Sequence, residues 1–263
     1  MLFWKNDELT TISSLPFFTD ALQGRGVFET ILVSENKTFL WDDHIQRLKS
    51  GIKFLGNQLR FDFEKLHKNI VEYFLYKNFN GLYRLNLFYL PEIKGIIIRI
   101  FPFKWPIKPS RLYINENYQR GNTPHYQFKT ISRMEYIFFQ QLAKENNCDD
   151  YLISNSNNQI LETCLANIFF VRQDGSTETP VAENMPFLNG VLRNYIIKNQ
   201  KALGIKCIEK KIFLNSISDY TQAFITNGLR LVQPVSRIGK YSYTKEDIGW
   251  KLKEKIYNSI LNM

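Results

Sequence analysis

The stretch from Gly26 to Gly56 changes its hydrophobic period once, and that change narrows what the chain can fold into. Gly26-Val-Phe-Glu-Thr-Ile-Leu-Val33 and Thr38-Phe-Leu-Trp41 place β-branched and aromatic residues on either side of a polar cluster, Ser34-Glu35-Asn36-Lys37, which is the pattern of a β-hairpin. Immediately afterwards Ile45, Leu48, Ile52 and Leu55 recur at helical spacing, with Asp42 or Asp43 to cap the start and Gly56 to supply a left-handed stop. Phe63, Leu66, Ile70 and Phe74 mark a second helix, and the apolar runs Leu82 to Leu90 and Gly95 to Phe103 read as neighbouring strands. The first part of the chain is therefore expected to be α+β.

Pro106 and Pro109 open a stretch with little periodicity that runs to Pro124 and holds a short strand near Arg111 to Ile114. We place the domain junction there, giving an N-terminal α+β domain over 1–107, a linker over 108–124 and a C-terminal mixed-sheet domain over 125–263. The second domain reads as a helix near Ser132 to Glu145, short strands at Asp150 to Ser154, Gln159 to Glu162 and Ala166 to Arg172, and a helix from Gly190 to Leu203. Strands at Ala223 to Thr226 and Val232 to Val235 and a final helix with Ile248, Leu252, Ile256 and Ile260 four residues apart complete it.

Bulk properties remove several function classes. A chain of 263 residues at 44% hydrophobic can bury a sizeable core. Its longest apolar runs are too short to span a bilayer, and its N-terminus lacks the pattern of an export leader, so a soluble, cytoplasmic protein without membrane contact is expected. Cys148, Cys164 and Cys207 are an odd count without CxxC spacing, and His44, His67 and His125 are widely separated, which argues against disulfides and a structural metal. The net charge of +9 is spread through the chain and interleaved with acids rather than gathered into a stripe, so no nucleic-acid surface is indicated; a small anionic amine or amino acid suits it better.

Four kinds of residue needed for Schiff-base chemistry on a bound pyridoxal phosphate have candidates. Lys129, in Phe128-Lys-Thr-Ile-Ser-Arg133, stands between the proline-marked junction and a helix, where a strand end can present an amine. Glu162 lies among apolar residues, where a carboxylate needs a cationic partner such as a protonated pyridine. Asn189-Gly-Val-Leu-Arg193 opens a helix with a capping Asn and a glycine, so that backbone N–H groups can meet an anion. Arg47, on the first helix, offers its planar fork to phosphate, and Thr226-Asn-Gly-Leu-Arg230 offers further backbone donors.

Each fragment is commonplace alone. Together, Gly24-Arg-Gly-Val-Phe-Glu-Thr30, His44-Ile-Gln-Arg-Leu48, Lys129-Thr-Ile-Ser-Arg133, Glu162-Thr-Cys-Leu-Ala-Asn-Ile-Phe169, Leu188-Asn-Gly-Val-Leu-Arg193 and Asn227 to Val235 resemble, in order and spacing, the class IV pyridoxal-phosphate enzymes, which include branched-chain and D-amino-acid aminotransferases and 4-amino-4-deoxychorismate lyases. The resemblance implies a two-domain D-amino-acid aminotransferase-like fold (fold type IV), a homodimer, and a cofactor held between the domains. It further implies that Lys129 forms the Schiff base, Glu162 pairs with the pyridine nitrogen, and Asn167 fixes the loop geometry beside the cofactor. Phosphate would be bound by Arg47 with the backbone around Val191, Leu192, Gly228 and Leu229. Substrate would meet Phe28, Tyr89, Arg133 and Asn227.

Within the family the lyases are the best match. Branched-chain aminotransferases carry a tyrosine five residues after the lysine, where this chain has Met134; D-amino-acid aminotransferases carry one where this chain has Phe28. Lys129, Ser132 and Arg133, then Glu162, Cys164 and Asn167, then Asn227, Leu229, Pro234 and Val235 are similar to the lyase patterns. Lyases also carry Arg-Gly where Tyr89-Leu90 stands here, and Arg133 or Arg230 is the candidate replacement. The expectation is thus a lyase that eliminates pyruvate to give 4-aminobenzoate, with an aminotransferase as the alternative and a non-catalytic cofactor-binding protein as the second.

Overall fold

The computed structural model describes residues 1–12, 19–58, 61–245 and 247–261. The chain forms two compact units, Met1–Trp105 with Phe128–Arg133, and Pro106–Gln127 with Met134–Met263.

The first unit contains β1 (Leu2–Lys5), β2 (Glu8–Thr11), α1 (Thr19–Leu22), β3 (Val27–Ser34), β4 (Lys37–Thr38), α2 (Trp41–Phe54), α3 (Phe63–Lys77), β5 (Leu82–Leu90) and β6 (Gly95–Pro102). Its sheet is antiparallel, in the order β2-β1-β6-β5-β3-β4. The expected hairpin is β3–β4, and Glu35 and Asn36 turn it with φ of 51° and 60°, the left-handed pair that matches the twist of the flanking strands. α2 departs from expectation at its start. Leu40 is its N-cap, at φ 53° and without a side-chain cap, so Asp42 and Asp43 already lie inside the first turn, where their charge meets the positive end of the helix dipole. The apolar stripe of α2 (Trp41, Ile45, Leu48, Ile52) and that of α3 (Phe63, Leu66, Ile70, Phe74) cover one face of the sheet, formed by Val27, Ile31, Leu85, Leu87, Ile96 and Ile98. Leu90, Ile93 and Ile97 lie on the other face, joined by Phe88 and Ile131.

The second unit contains β7 (Ser110–Tyr113), α4 (Met134–Glu145), β8 (Asp150–Ser154), β9 (Ile160–Thr163), β10 (Asn167–Val171), β11 (Thr177–Pro180), α5 (Val191–Lys198), α6 (Gln200–Leu203), β12 (Cys207–Lys210), β13 (Gln222–Asn227), β14 (Leu231–Ile238), β15 (Tyr241–Ser242) and α7 (Asp247–Leu261). Its mixed sheet runs β12-β11-β10-β13-β14-β7-β8-β9, with β15 on β14, and β7 is parallel to both of its neighbours. Ile168, Phe170, Ile225, Val235 and Leu112 share one core, while Phe139 and Ala143 of α4 pack on Tyr151, Ile153 and Leu161 in another. The single helix expected from Gly190 to Leu203 is two, α5 and α6, which meet at Asn199.

The expected domain boundaries shift in two places. The 108–124 stretch is not a free linker, because β7 lies inside the second sheet between β14 and β8. Lys129 does not belong with the C-terminal unit, because its backbone pairs with β3: Phe28 N–H donates to Lys129 O at 2.9 Å, Ile131 N–H donates to Gly26 O at 3.0 Å, and Val27 bridges Thr130.

Phe74 is fully buried under α3. Replacing it by Ala should destabilise the protein by about 3–5 kcal/mol, read from its urea unfolding midpoint, because neighbouring side chains cannot refill the volume of a phenyl ring.

Candidate active site

The site residues are best followed unit by unit, beginning with Lys129. Its segment adds to the start of β3 in antiparallel register, so Phe28 and Lys129 are cross-strand partners and project from the same face. The Lys129 Nζ accordingly lies 4.6 Å from the Phe28 ring centroid, and the Arg133 guanidinium lies 6.0 Å from the same ring. Phe28 is stacked on Phe88 with centroids 5.6 Å apart. Tyr89, the residue after Phe88, belongs to the opposite face; its side chain is only 1% exposed and packs in the core beneath α2 and α3. Strand alternation therefore separates it from the Lys129 face, against the expectation that it meets substrate.

On that core face is a buried charged group. Glu29, 0% exposed, receives the Arg47 Nε at 2.7 Å and Nη2 at 2.6 Å, and its Oε2 lies 2.7 Å from the His44 Nδ1. His44 and Arg47 are three residues apart on α2, which puts both on the turn of helix that faces β3. Burial pushes the Glu29 carboxyl up, but Arg47 and His44 outweigh it and hold it at about 2. Burial also lowers the His44 imidazole against the pull of Glu29, so the pair is read as a hydrogen bond between a neutral ring and a carboxylate. With Nε and Nη2 on Glu29, Arg47 keeps the edge bearing Nη1 for an anion.

The second unit builds its part around Arg120. This guanidinium is 0% exposed; its Nη1 donates to Glu162 Oε1 at 2.7 Å and to Pro186 O at 3.0 Å, and its Nε donates to Glu135 Oε2 at 2.8 Å. The rings of Tyr126 and Tyr136 flank it, with centroids 4.1 Å and 4.8 Å from its Cζ. Tyr126 donates to Glu135 Oε1 at 2.9 Å, and Tyr136 donates to Glu162 Oε1 at 3.0 Å. Burial works against the charge on Arg120, but its carboxylate neighbours more than restore it. One guanidinium thus joins two carboxylates that come from separate elements, Glu135 on α4 and Glu162 on β9.

Two turns are held by amide side chains. Asn167 donates from Nδ2 to Leu188 O at 2.8 Å and accepts from Gly190 N–H at 3.1 Å, so its whole amide is used in shaping the turn ahead of α5. A Cβ on residue 190 would stand 2.1 Å from Asn167 Oδ1, which leaves room only for glycine. The expected Asn189 cap is displaced: Gly190 is the N-cap, no side chain caps the helix, and Asn189 instead accepts from Arg193. The first N–H groups of α5, at Val191 and Leu192, thus have no side-chain acceptor in the capping position, which suits an anion. Asn227 donates to Leu165 O at 3.0 Å and accepts from the N–H groups of Leu229 and Arg230. Its expected role on the substrate is taken by this turn, and the Leu229 N–H, expected to meet phosphate, already has an acceptor in it. Gly228 lies at the apex of the same turn.

A family model described as amino-transferase class IV matches residues 26–238. The chain belongs to that family. It is a pyridoxal-phosphate-dependent enzyme of fold type IV. Among curated relatives, the "Probable branched-chain-amino-acid aminotransferase" of Thermotoga maritima is 24% identical over 95% of this chain and 91% of its own length. The aminodeoxychorismate lyase of Bacillus subtilis is 26% identical over 87% of this chain and 82% of its own. Among solved structures, a branched-chain aminotransferase of Thermoproteus uzoniensis superposes with a TM-score of 0.88 at 22% identity, covering 100% of this chain and 95% of that one.

Residues in each unit fit the class IV cofactor. The buried Glu162 carboxylate suits a protonated ring nitrogen, the uncapped α5 start suits a phosphate, and Lys129 supplies an amine for the aldehyde. Sequence reasoning missed Arg120 and Tyr126, in or just after the stretch with no periodicity, and Glu135 and Tyr136, on the expected helix α4. It also left Glu29 and His44 without a role, although an acid inside Val-Phe-Glu-Thr-Ile-Leu-Val and a His/Arg pair three apart on a helix were available as signals. Among the described residues no cluster could hold a metal ion, and no helix is long and apolar enough to cross a membrane.

Glu29 makes stability depend on acid. Its carboxyl titrates near 2 when folded and ordinarily near 4.5, so its contribution is complete above about pH 5 and is lost as pH falls through 4.5 toward 2. That difference corresponds to on the order of 3 kcal/mol, and Glu29→Gln should remove this part of the acid slope in urea titrations at pH 7 and pH 3. Gly190→Ala should break the clamp from Asn167 and weaken pyridoxal phosphate roughly tenfold or more, measured by fluorescence titration of the apoenzyme.

Proposed function

We propose that this class IV enzyme is a 4-amino-4-deoxychorismate lyase, releasing pyruvate to leave 4-aminobenzoate. The observation that carries the reading is the arrangement over Phe28. The Lys129 amine and the Arg133 guanidinium lie over one ring that is itself stacked on Phe88, so a flat, carboxylated ring substrate would find an aromatic wall, a base and a cation together.

The bound pyridoxal phosphate supplies a carbonyl that captures the substrate amine and a ring that draws electrons from the adjacent C–H bond. The chain does the rest. Lys129 takes the proton from the amine-bearing carbon at Nζ, which lies 4.6 Å from the Phe28 ring centroid. Arg133 orients a substrate carboxylate, in place of the Arg-Gly that Tyr89-Leu90 lacks. Glu162 holds the ring nitrogen's proton, while Arg47, Val191, Leu192 and Gly228 hold the phosphate. The substrate is a small anionic amine, and the enzyme works as a cytoplasmic homodimer.

An aminotransferase is the competing reading, favoured by the Thermotoga relative, and it would need the same base and the same ring. The reactions part after proton removal, when a transaminase returns the proton to the cofactor and requires a keto acid to complete its cycle. Purified holoenzyme given aminodeoxychorismate should therefore release pyruvate and 4-aminobenzoate with no keto acid present, and Lys129→Ala should abolish release. Conversion of the cofactor to its amine form by amino-acid donors, with no pyruvate, would sink the lyase reading.

A further inference from the structure

Glu162 is not alone with the cation it is expected to meet. Both the Arg120 Nη1, at 2.7 Å, and the Tyr136 hydroxyl, at 3.0 Å, donate to the same carboxylate oxygen, Oε1. The Tyr136 ring also lies over the Arg120 guanidinium, so one side chain touches the carboxylate and backs the cation that grips it. Tyr126 mirrors it on Glu135, one hydrogen bond further from Glu162. Ionisable groups that face Glu162 include Arg120 from the loop after β7, Tyr136 from α4 and Cys164 from the chain after β9, with Glu135 reached through Arg120.

Donors that bind the ionised form of a carboxylate make it a weaker base. A weaker base holds a partner's proton less firmly. We propose that Tyr136 is a positioning residue that, together with Arg120, limits how strongly Glu162 holds the proton on the cofactor's ring nitrogen. The inference rests on the reading that Glu162 faces that nitrogen. Its consequence is that the electron-drawing power of the ring is set by a phenol that need not touch either cofactor or substrate.

Removing a hydrogen bond to a charged acceptor changes its proton affinity roughly tenfold or more, about one pH unit. Holoenzyme reconstituted with cofactor isotope-labelled at the ring nitrogen would be titrated by NMR. Tyr136→Phe keeps the ring over Arg120 and removes only the donor, so it should raise the midpoint of nitrogen deprotonation by about one pH unit. Tyr126→Phe, which loses a donor to Glu135, should shift it far less, and Glu162→Gln should lower it strongly. A Tyr136→Phe midpoint equal to that of the wild type, with Glu162→Gln displaced, overturns the inference alone. A Glu162→Gln midpoint equal to that of the wild type overturns it together with the reading beneath it. Equal shifts in Tyr126→Phe and Tyr136→Phe would also overturn it, because they would indicate general loosening of the cluster rather than the contact with Oε1.

Discussion

The arrangement on which the rest depends is a short backbone ladder. Residues 128–131 leave the second unit on either side, yet they pair with Gly26, Val27 and Phe28 at the start of β3. These bonds determine where Lys129 stands, because antiparallel register makes Phe28 its cross-strand neighbour and strand alternation puts both on one face. The same register puts Glu29 on the other face, where α2 meets it with His44 and Arg47. A slip of one residue in this ladder would turn Lys129 onto the face that holds Glu29, while β3 kept its own register against β5.

Buried charge is handled differently in the two units. In the first, Glu29 bonds His44 and the Nε–Nη2 edge of Arg47, which locks helix to strand and leaves the Nη1 edge of Arg47 outside the ion pair. In the second, the Arg120 guanidinium, buried between the Tyr126 and Tyr136 rings, joins Glu135 and Glu162 from separate elements.

Much of this was legible in the sequence, for identifiable reasons. The hairpin at Ser34–Lys37, helices α2 and α3 and the strands around Asn167 and Thr226 announce themselves by local periodicity and turn residues. The order of strands does not, because β7 pairs in parallel with β14 and β8 through contacts remote in sequence, and no periodicity encodes a partner. Motifs point to Lys129, Glu162 and Asn167, but what each side chain touches depends on the fold around it. Asn167 shapes the turn ahead of α5 with its amide, whereas Asn227, expected to meet substrate, spends its amide on a backbone turn. Tyr89 stands beside Phe88 in sequence but one residue of alternation places it on the wrong face. Arg120 had no visible signal at all, since what singles it out is the meeting of Glu135 and Glu162 from separate elements.

The central placement of β7 also bears on how the chain is made. It leaves the ribosome early, with Leu112 destined for full burial, but its neighbour β14 exists only after Leu231 has been synthesised. Throughout that interval the edge of β7 that β14 will cover stays open, while β8 can pair with its other edge. The second sheet therefore closes late and through non-local pairings, which slow folding and prolong exposure of strand edges to other nascent chains.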